Sequence, residues 1–504
     1  MVTPDNFDLS RIDTTRPNGE VTLPVNSPGG AVDDHPQAAV AVLCGAGIVV
    51  ALMQTIIVPL IPQLPSMLHA APDNTTWALT ITLLVGAVIT PIAGRLGDMY
   101  GKRRMLLGSM ATLLIGSATC ALSSSLPMFL IGRAFQGLGF GTIALGISVM
   151  RDIVPPNRLG SAVGTMSASL GVGGALGLPF AAVIAQHLSW QALFWICAAA
   201  GALGGVGILA YVPETPSRAG GRFDVAGALG LAAMLTCLLL ALSKGASWGW
   251  ASPTTLGMFG AFAVIAVGWW IVERRSANAL IDLDVALSRP VLLTNIASVA
   301  IGFAFYSMQL IPIQLLMAPA SSPNGLGLDM LMASLVLAPS GICMFLFSHV
   351  SARLNVMFGP RTSLGIGAVV IGAGYVVFIV AVAGSWEMAW WMMLVVSLLI
   401  GAGLGIAYSA MPALIMRAVR VERTGEANGL NALMRIVGTS SSAAVTGMIL
   451  SASMVGVATP QGALSVPSES GYLWASGISL VASAAAVALA LAIPAPRAFR
   501  ISPA

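Results

Sequence analysis

The sequence predicts an all-α integral membrane protein with fourteen transmembrane helices. Three observations carry that prediction. Of 504 residues, 57% are hydrophobic and only 8% are charged, whereas a soluble domain carries about a quarter of its residues charged. Fourteen apolar runs approach or exceed the roughly 20 residues that cross a hydrocarbon core about 30 Å thick. Lys and Arg fall in alternate connections between those runs, the asymmetry that marks cytoplasmic loops.

In chain order, residues 1–36 are polar, mix Pro, Asp, Asn and Thr, and show no apolar period. A disordered cytoplasmic tail is expected there rather than a signal peptide. The apolar runs cover 38–60, 76–93, 105–122, 128–149, 161–185, 192–212, 225–243, 256–272, 291–315, 330–350, 363–383, 388–412, 427–450 and 472–493. With both termini inside, cytoplasmic segments hold 20 of the 23 Lys and Arg residues. Arg11, Arg16, Arg497 and Arg500 lie in the tails, and Arg218 follows the sixth run. Lys244 falls in an outer loop, and Arg133 and Arg435 fall inside runs.

Other function classes find no support. The net charge of +4 is spread singly and in small groups between apolar runs, which is not a nucleic-acid footprint. The five cysteines sit in apolar runs with no CxxC pair and read as packing residues. No Gly-rich phosphate loop ending in Lys-Ser or Lys-Thr, no metal-spaced His/Cys cluster and no activated nucleophile is present. An enzyme is not expected, nor is a cofactor or a metal.

The run Gly94-Arg95-Leu96-Gly97-Asp98-Met99-Tyr100-Gly101-Lys102-Arg103-Arg104 concentrates five charges between two spans. A tight cytoplasmic turn is expected, with glycines where the backbone bends and an ion pair between Asp98 and a basic neighbour. The chain then repeats itself. Ala352-Arg353-Leu354-Asn355-Val356-Met357-Phe358-Gly359-Pro360-Arg361 echoes that stretch 258 residues later, and Gly137-Leu138-Gly139-Phe140-Gly141 returns as Gly401-Ala402-Gly403-Leu404-Gly405. Run 2 thus pairs with run 10 and run 4 with run 12, so two parallel six-span repeats flank an extra pair, runs 7 and 8.

Gly94, Leu96, Asp98, Gly101, Lys102 and Arg103 match each fixed position of G-x-L-x-D-x-x-G-[RK]-[RK]. This resembles the loop between the second and third spans of the major facilitator superfamily. Arg133-Ala134-Phe135-Gln136-Gly137-Leu138-Gly139 is similar to the family's R-x-x-Q-G-x-G motif. The Gly-rich fifth run, with Gly173, Gly177 and Pro179, partly matches the Gly-Pro stretch of its exporters. The fourteen-span layout resembles the multidrug:proton antiporter branch. The resemblance implies the major facilitator fold, export of drugs or antibiotics, and protons as coupling partner.

The candidate residues divide by place. Gly94, Leu96, Asp98, Gly101, Lys102 and Arg103 form the expected gating loop, which would latch one bundle to the other on the cytoplasmic side. An arginine inside a span is costly and is kept for function or snorkels to the interface. Arg133, with Gln136 one turn away, is therefore assigned to coupling or the cavity, as are Gln54, Asn428, Asn431 and Arg435 on helical spacing. Gly173, Gly177 and Pro179 suit either helix flexing or close packing. Asn295, Phe303, Tyr306, Gln309 and Tyr408 are neutral polar or aromatic groups in apolar walls and suit a hydrophobic or amphiphilic ligand.

One departure stands out. Where proton-coupled relatives carry an acid in the first span, this chain has Met53. The acids fall outside the runs or at their borders, Asp73, Asp98 and Glu426 among them. Proton relays normally use an intramembrane group that changes charge.

The expected organisation is a tail at 1–36, a six-helix bundle at 37–216, a linker with two extra helices at 217–289, a second bundle at 290–495 and a tail at 496–504. The expected function is export of small, mostly hydrophobic compounds by proton antiport through alternating access. The chain is expected to act as a monomer in the inner (plasma) membrane, with both termini cytoplasmic. Two alternatives stay open: an uncoupled facilitator or amphiphile flippase, and a non-transporting sensor.

Overall fold

In hydrocarbon a backbone N–H has no water to bond, so an apolar run must close its hydrogen bonds within itself, as a helix. The computed structural model describes residues 36–494 except 58–59, 61–63, 71–74, 76, 215–221, 277–278, 323, 385–387 and 460–461. Expectations for residues 1–35 and 496–504, and for Asp73 and Arg218, lie outside the described residues.

Among the described residues, fourteen helices are long and apolar enough to span a membrane. They are α1 (Pro36–Thr55), α2 (Trp77–Tyr100), α3 (Lys102–Ala121), α4 (Leu126–Ile153), α5 (Pro156–His187), α6 (Trp190–Tyr211) and α7 (Val225–Trp248). Then follow α8 (Pro253–Arg275), α9 (Arg289–Met317), α10 (Met330–Met357), α11 (Pro360–Ala383), α12 (Trp390–Ala418), α13 (Thr424–Ala452) and α14 (Glu469–Ala492). A short antiparallel hairpin, β1 (Met454–Thr459) and β2 (Gly462–Pro467), joins the last two. The Gly-rich Leu138–Gly141 forms one tight 3-10 turn inside α4.

Several helices outrun their apolar runs. A helix ends where its backbone is stopped, and hydropathy alone does not locate that stop. Gly101 (φ 112°), Gly249 (φ 90°) and Gly359 (φ 83°) adopt positive φ, a conformation that terminates a helix and that a Cβ disfavours. Consequently α2 continues to Tyr100 and carries Arg95, Leu96 and Asp98 in its final turns. The expected basic turn contracts to the single residue Gly101 before α3 begins at Lys102. Likewise α7 continues to Trp248, so Lys244 is helical rather than in a loop. It is buried, with its ammonium 4.8 Å from the Trp77 ring centroid. Gly101 and Gly359 occupy equivalent places in the two repeats, so the echo extends to backbone geometry.

The packing carries the same symmetry. Helix α1 packs on α5 and α6, α3 on α4 and α6, and α2 on α4. The equivalent pairs all recur in the second half: α9 with α13 and α14, α11 with α12 and α14, and α10 with α12. Two separate apolar cores result, one built almost wholly from residues before 213 and one almost wholly from residues after 296, with Leu178 of α5 the exception. The bundles meet where α2 packs on α13 and α5 on α10, which is one pairing with the repeats exchanged. The extra pair α7–α8 stands outside this scheme. Leu231, Leu235 and Leu239 of α7 pack with Ala87 of α2 and with Leu430 and Leu433 of α13. Thus α7 covers the seam between bundles, while α8 rests on α7, with the Trp269 indole N–H donating to Gly227 O at 2.8 Å.

Small residues let backbones approach in a bilayer, where lipid supplies no hydrophobic drive between helices. A Cβ on Gly403 of α12 would stand 2.6 Å from Gly367 O and 2.7 Å from Ile371 N of α11. A Cβ on Gly260 of α8 would meet nothing within 4 Å. Gly403→Val should therefore lower the unfolding temperature in detergent, at a cost of about 1–3 kcal/mol or more, whereas Gly260→Val should leave it unchanged. Equal thermal stability of the two variants would contradict this packing.

Candidate functional site

At one end of the molecule, here termed the basic end, the last turn of α2 meets the first turn of α13. The two backbones touch: a Cβ on Gly94 would overlap the Gly425 carbonyl oxygen, and one on Gly429 would lie 2.9 Å from Pro91 Cα. That approach brings the buried Asp98 to the N-terminus of α13. Asp98 Oδ1 accepts the Gly425 N–H at 3.1 Å and Oδ2 accepts the Glu426 N–H at 2.8 Å. The first N–H groups of a helix lack internal partners and carry the positive end of its dipole, so a carboxylate is stabilised there. The negative charge of one bundle therefore caps a helix of the other.

Further charges surround this cap. Lys102 Nζ stands 3.9 Å from Asp98 Oδ1, the expected ion pair, but its closer partner is Asp152 of α4 at 2.7 Å. Arg95 Nη1 lies 3.4 Å from Glu426 Oε2 across the seam. Glu426 Oε1 accepts the Asp282 N–H at 2.6 Å, and Asp282 pairs with Arg423. Glu273, at the end of α8, accepts the Ile281 N–H at 2.6 Å. The segment returning from the inserted pair is thereby tied to the seam between α2 and α13. Arg151 of α4 donates to Thr424 Oγ1 at 2.6 Å and to Val419 O at 3.0 Å. Arg103 instead reaches Leu209 O within its own bundle, and Leu96 is half-buried.

Arg133 is fully buried, so it does not snorkel. Its Nε donates to Ala78 O at 3.0 Å, and its Nη1 donates to Met53 O at 3.2 Å and to Gln136 Oε1 at 2.7 Å. Gln136 Nε2 donates to Ser117 Oγ at 2.9 Å and lies 3.3 Å from Met53 Sδ. These bonds staple α1 to α4 inside the first bundle, and neither Arg133 nor Gln136 lines a central cavity. The Met53 side chain stands beside this pair, and Arg133 Nη2 is buried with no hydrogen-bond partner among the described residues.

Between the bundles lie two small chambers. One, of about 90 Å³, is bounded by Gln54, Gly174, Phe305, Tyr306, Gln309 and neighbouring apolar residues. The second, of about 50 Å³, shares Gln54, Leu170 and Phe305 with it and adds Thr90, Phe140, Tyr408, Arg435 and Thr439. Of the expected ligand-facing groups, Tyr306, Gln309 and Tyr408 face these chambers and Phe303 faces neither. Phe305, two residues on and therefore on another side of α9, lies 5.8 Å from Tyr408 between ring centroids. Asn295 is taken up in packing: Asn431 Nδ2 donates to Asn295 Oδ1 at 2.9 Å and to Ser298 Oγ at 2.7 Å. Asn428 donates to Thr424 O of its own helix. The polar stripe of α13 thus divides into a packing residue, Asn431, and a cavity residue, Arg435.

In α5, Gly173 and Gly177 face α1: a Cβ on Gly173 would lie 2.5 Å from Ile48 O, and one on Gly177 would overlap Thr55 Oγ1. Gly174 faces Gln309 of the other bundle at 3.2 Å. The helix runs unbroken past Pro179 to His187. Gly173 and Gly177 thus lie where α5 packs closely on α1.

The family model described as Major Facilitator Superfamily matches residues 43–443. This chain belongs to the major facilitator superfamily. Among its relatives in the superfamily, the tetracenomycin C resistance and export protein of Streptomyces glaucescens is 28% identical over 454 residues, 89% of this chain and 82% of that protein. Multidrug resistance protein 3 of Bacillus subtilis is 26% identical over 381 residues, 75% of this chain and 72% of that one. The solved human organic anion transporter MFSD10 (TETRAN) superposes with a TM-score of 0.62 at 14% identity, covering 90% of this chain and 99% of that one; that likeness shows the fold. The protein is a multi-pass membrane transporter of the superfamily, not an enzyme.

Sequence reading missed Asp152, Asp282 and Arg151 as site residues. The charged pair Arg151-Asp152 at the end of the fourth run was a usable signal, because charges at a span border are retained where something holds them. Asp282 carried no signal of its own.

Asp98→Asn should remove the charge from the α13 cap and place an amide N–H₂ against one of two backbone N–H groups. Hydrogen exchange of residues 424–430 should then rise about 10- to 100-fold, the loss expected for hydrogen bonds to a charged group. Unchanged protection would mean that Asp98 does not hold the seam closed.

Proposed function

We propose that this transporter exports small, mostly hydrophobic compounds by alternating access, with the basic end on the cytoplasmic side. The observation that carries the reading is the asymmetry of the closure. One end is clamped by charge-assisted bonds between bundles, while chambers lined from both bundles lie in the middle. The chambers are far below the roughly 300–1,000 Å³ that holds a drug-sized ligand, so loading requires the bundles to part. Gln54, Tyr306, Gln309 and Tyr408 are the groups assigned to ligand contact, and Gly94, Asp98, Gly101 and Lys102 to the gate. The Gly173–Gly177 face of α5 is assigned to sliding against α1. The Lys and Arg bias supports cytoplasmic termini. The relatives' names, multidrug resistance and tetracenomycin C export, support an exported antibiotic-like substrate.

Coupling to protons is proposed through the gate rather than the cavity. Among the described residues no Asp or Glu lines either chamber, and Asp98 and Glu426 are buried carboxylates on the seam. Protonating Asp98 would discharge the α13 cap and loosen the clamp, so a proton entering there would favour opening of the basic end. The empty acid position at Met53 favours a second reading, an uncoupled facilitator of the same fold.

Purified protein in liposomes, with a lipophilic dye and an imposed pH gradient, separates the two. Uphill dye movement driven by the gradient is the expected result, and it should be lost in Asp98→Asn. Downhill movement indifferent to the gradient would select the facilitator. Absence of movement by any tested dye would argue against export. Met53→Asp adds a carboxylate beside Arg133 and Gln136. It should make turnover steepen with pH by introducing a second titrating group; a pH profile identical to that of the parent would show that this position cannot couple.

A further inference from the structure

The two arginines buried inside spans are held differently. Arg133 is bonded to two backbone carbonyls and to Gln136. Arg435 is 7% exposed, and among the described residues its guanidinium makes no hydrogen bond and no ion pair. Its contact with protein is the face of Tyr408, 5.0 Å from guanidinium carbon to ring centroid. The carboxylate nearest along its own helix, Glu426, is nine residues earlier, or about 13 Å by helical rise. It is already bonded to Arg95 and to Asp282 N–H.

Arg435 is not needed to hold α13 in place. Asn431 bridges to Asn295 and Ser298 of α9, and Ser442 bonds Ser307 at 2.8 Å. What remains is a buried cation facing the chamber that both bundles line. A buried unpaired charge is costly. A planar guanidinium is also the donor that best matches an oxyanion, through two parallel N–H bonds. Gln54 faces the same chamber and makes no hydrogen bond to a described residue. Phe140, Phe305 and Tyr408 supply flat apolar walls.

We infer that Arg435 selects substrates bearing an oxyanion, a carboxylate or phenolate, on a flat aromatic body. This rests on the export reading above and names its substrate class. The anion would pair with the guanidinium, the aromatic body would stack on Phe305 and Tyr408, and Gln54 would bond a second polar group. Cationic amphiphiles would be disfavoured by like charge.

The test uses three pyrene probes with the full-length protein: pyrenebutyrate, its neutral amide, and the corresponding trimethylammonium cation. Binding is measured in detergent and counterflow in liposomes. The wild type should bind the anion at least roughly tenfold more tightly than the amide, as one charge-assisted pair predicts, and the cation most weakly. Arg435→Gln should bring the anion-to-amide ratio near one while keeping amide affinity. Arg435→Lys should keep the preference at reduced anion affinity, because it preserves charge without the planar fork. Where Arg435→Gln fails to fold, the Lys variant decides: an anion affinity unchanged from wild type would overturn the assignment. A wild-type ratio near one, a preference for the cation, or a ratio unchanged by Arg435→Gln would also overturn it. Arg435-dependent anion binding without counterflow would sink the export reading and leave the anion site standing. Binding of none of the probes would overturn the anion site.

Discussion

The Asp98 carboxylate at the N-terminus of α13 is the contact on which the closed form depends. It joins the bundles with hydrogen bonds that are strong because one partner is charged, and that charge is stable because the α13 backbone presents unpaired N–H groups to it. Neither element suffices alone. The meeting needs Gly94 against Gly425, where a side chain on either would hold the backbones apart. Lys102, held between Asp98 and Asp152, sets the orientation of the carboxylate from its own bundle. Removing the cap would leave two buried N–H groups unbonded in a region with little water.

The repeat explains why the clamp is one-sided. The contacts α2–α13 and α5–α10 are symmetry equivalents, but the position matching Asp98 in the second repeat is Val356, which is largely exposed. The two halves share backbone geometry down to the positive φ of Gly101 and Gly359. They do not share the charge. Because the repeats are parallel, both positions lie at the same end, and only one of the two seams there carries a buried carboxylate. The inserted pair adds to the same seam: α7 packs against both α2 and α13, and Asp282 contacts Glu426. The two helices that distinguish this chain from a twelve-span layout therefore bear on the α2–α13 seam.

The two buried arginines show how identical chemistry is put to different uses by packing. Arg133 meets carbonyls and an amide in the first bundle and acts as a staple. Arg435 meets a ring face and open space. Helical spacing alone placed both inside the membrane and supplied nothing to separate them, because Ala78, Met53 and Tyr408 come from other helices.

The sequence by itself determined that the chain is a fourteen-span helical membrane protein built from two repeats. Those properties are local: apolar length, the distribution of Lys and Arg, and motifs such as Gly94–Arg103 are written in consecutive residues, and a bilayer leaves few alternatives to the helix. It also singled out Asp98 within its motif and Met53 where an acid was expected. Only the tertiary structure decided which charges are buried and with whom. Three helices end at positive-φ glycines rather than where hydropathy falls, which carried Asp98 and Lys244 into helices and out of loops. Whether Phe303 or Phe305 faces a cavity depends on the rotation of α9, which its neighbours set through Asn431, Ser442 and Tyr375. Pairing across a seam is a property of two surfaces, and no single stretch of chain contains both.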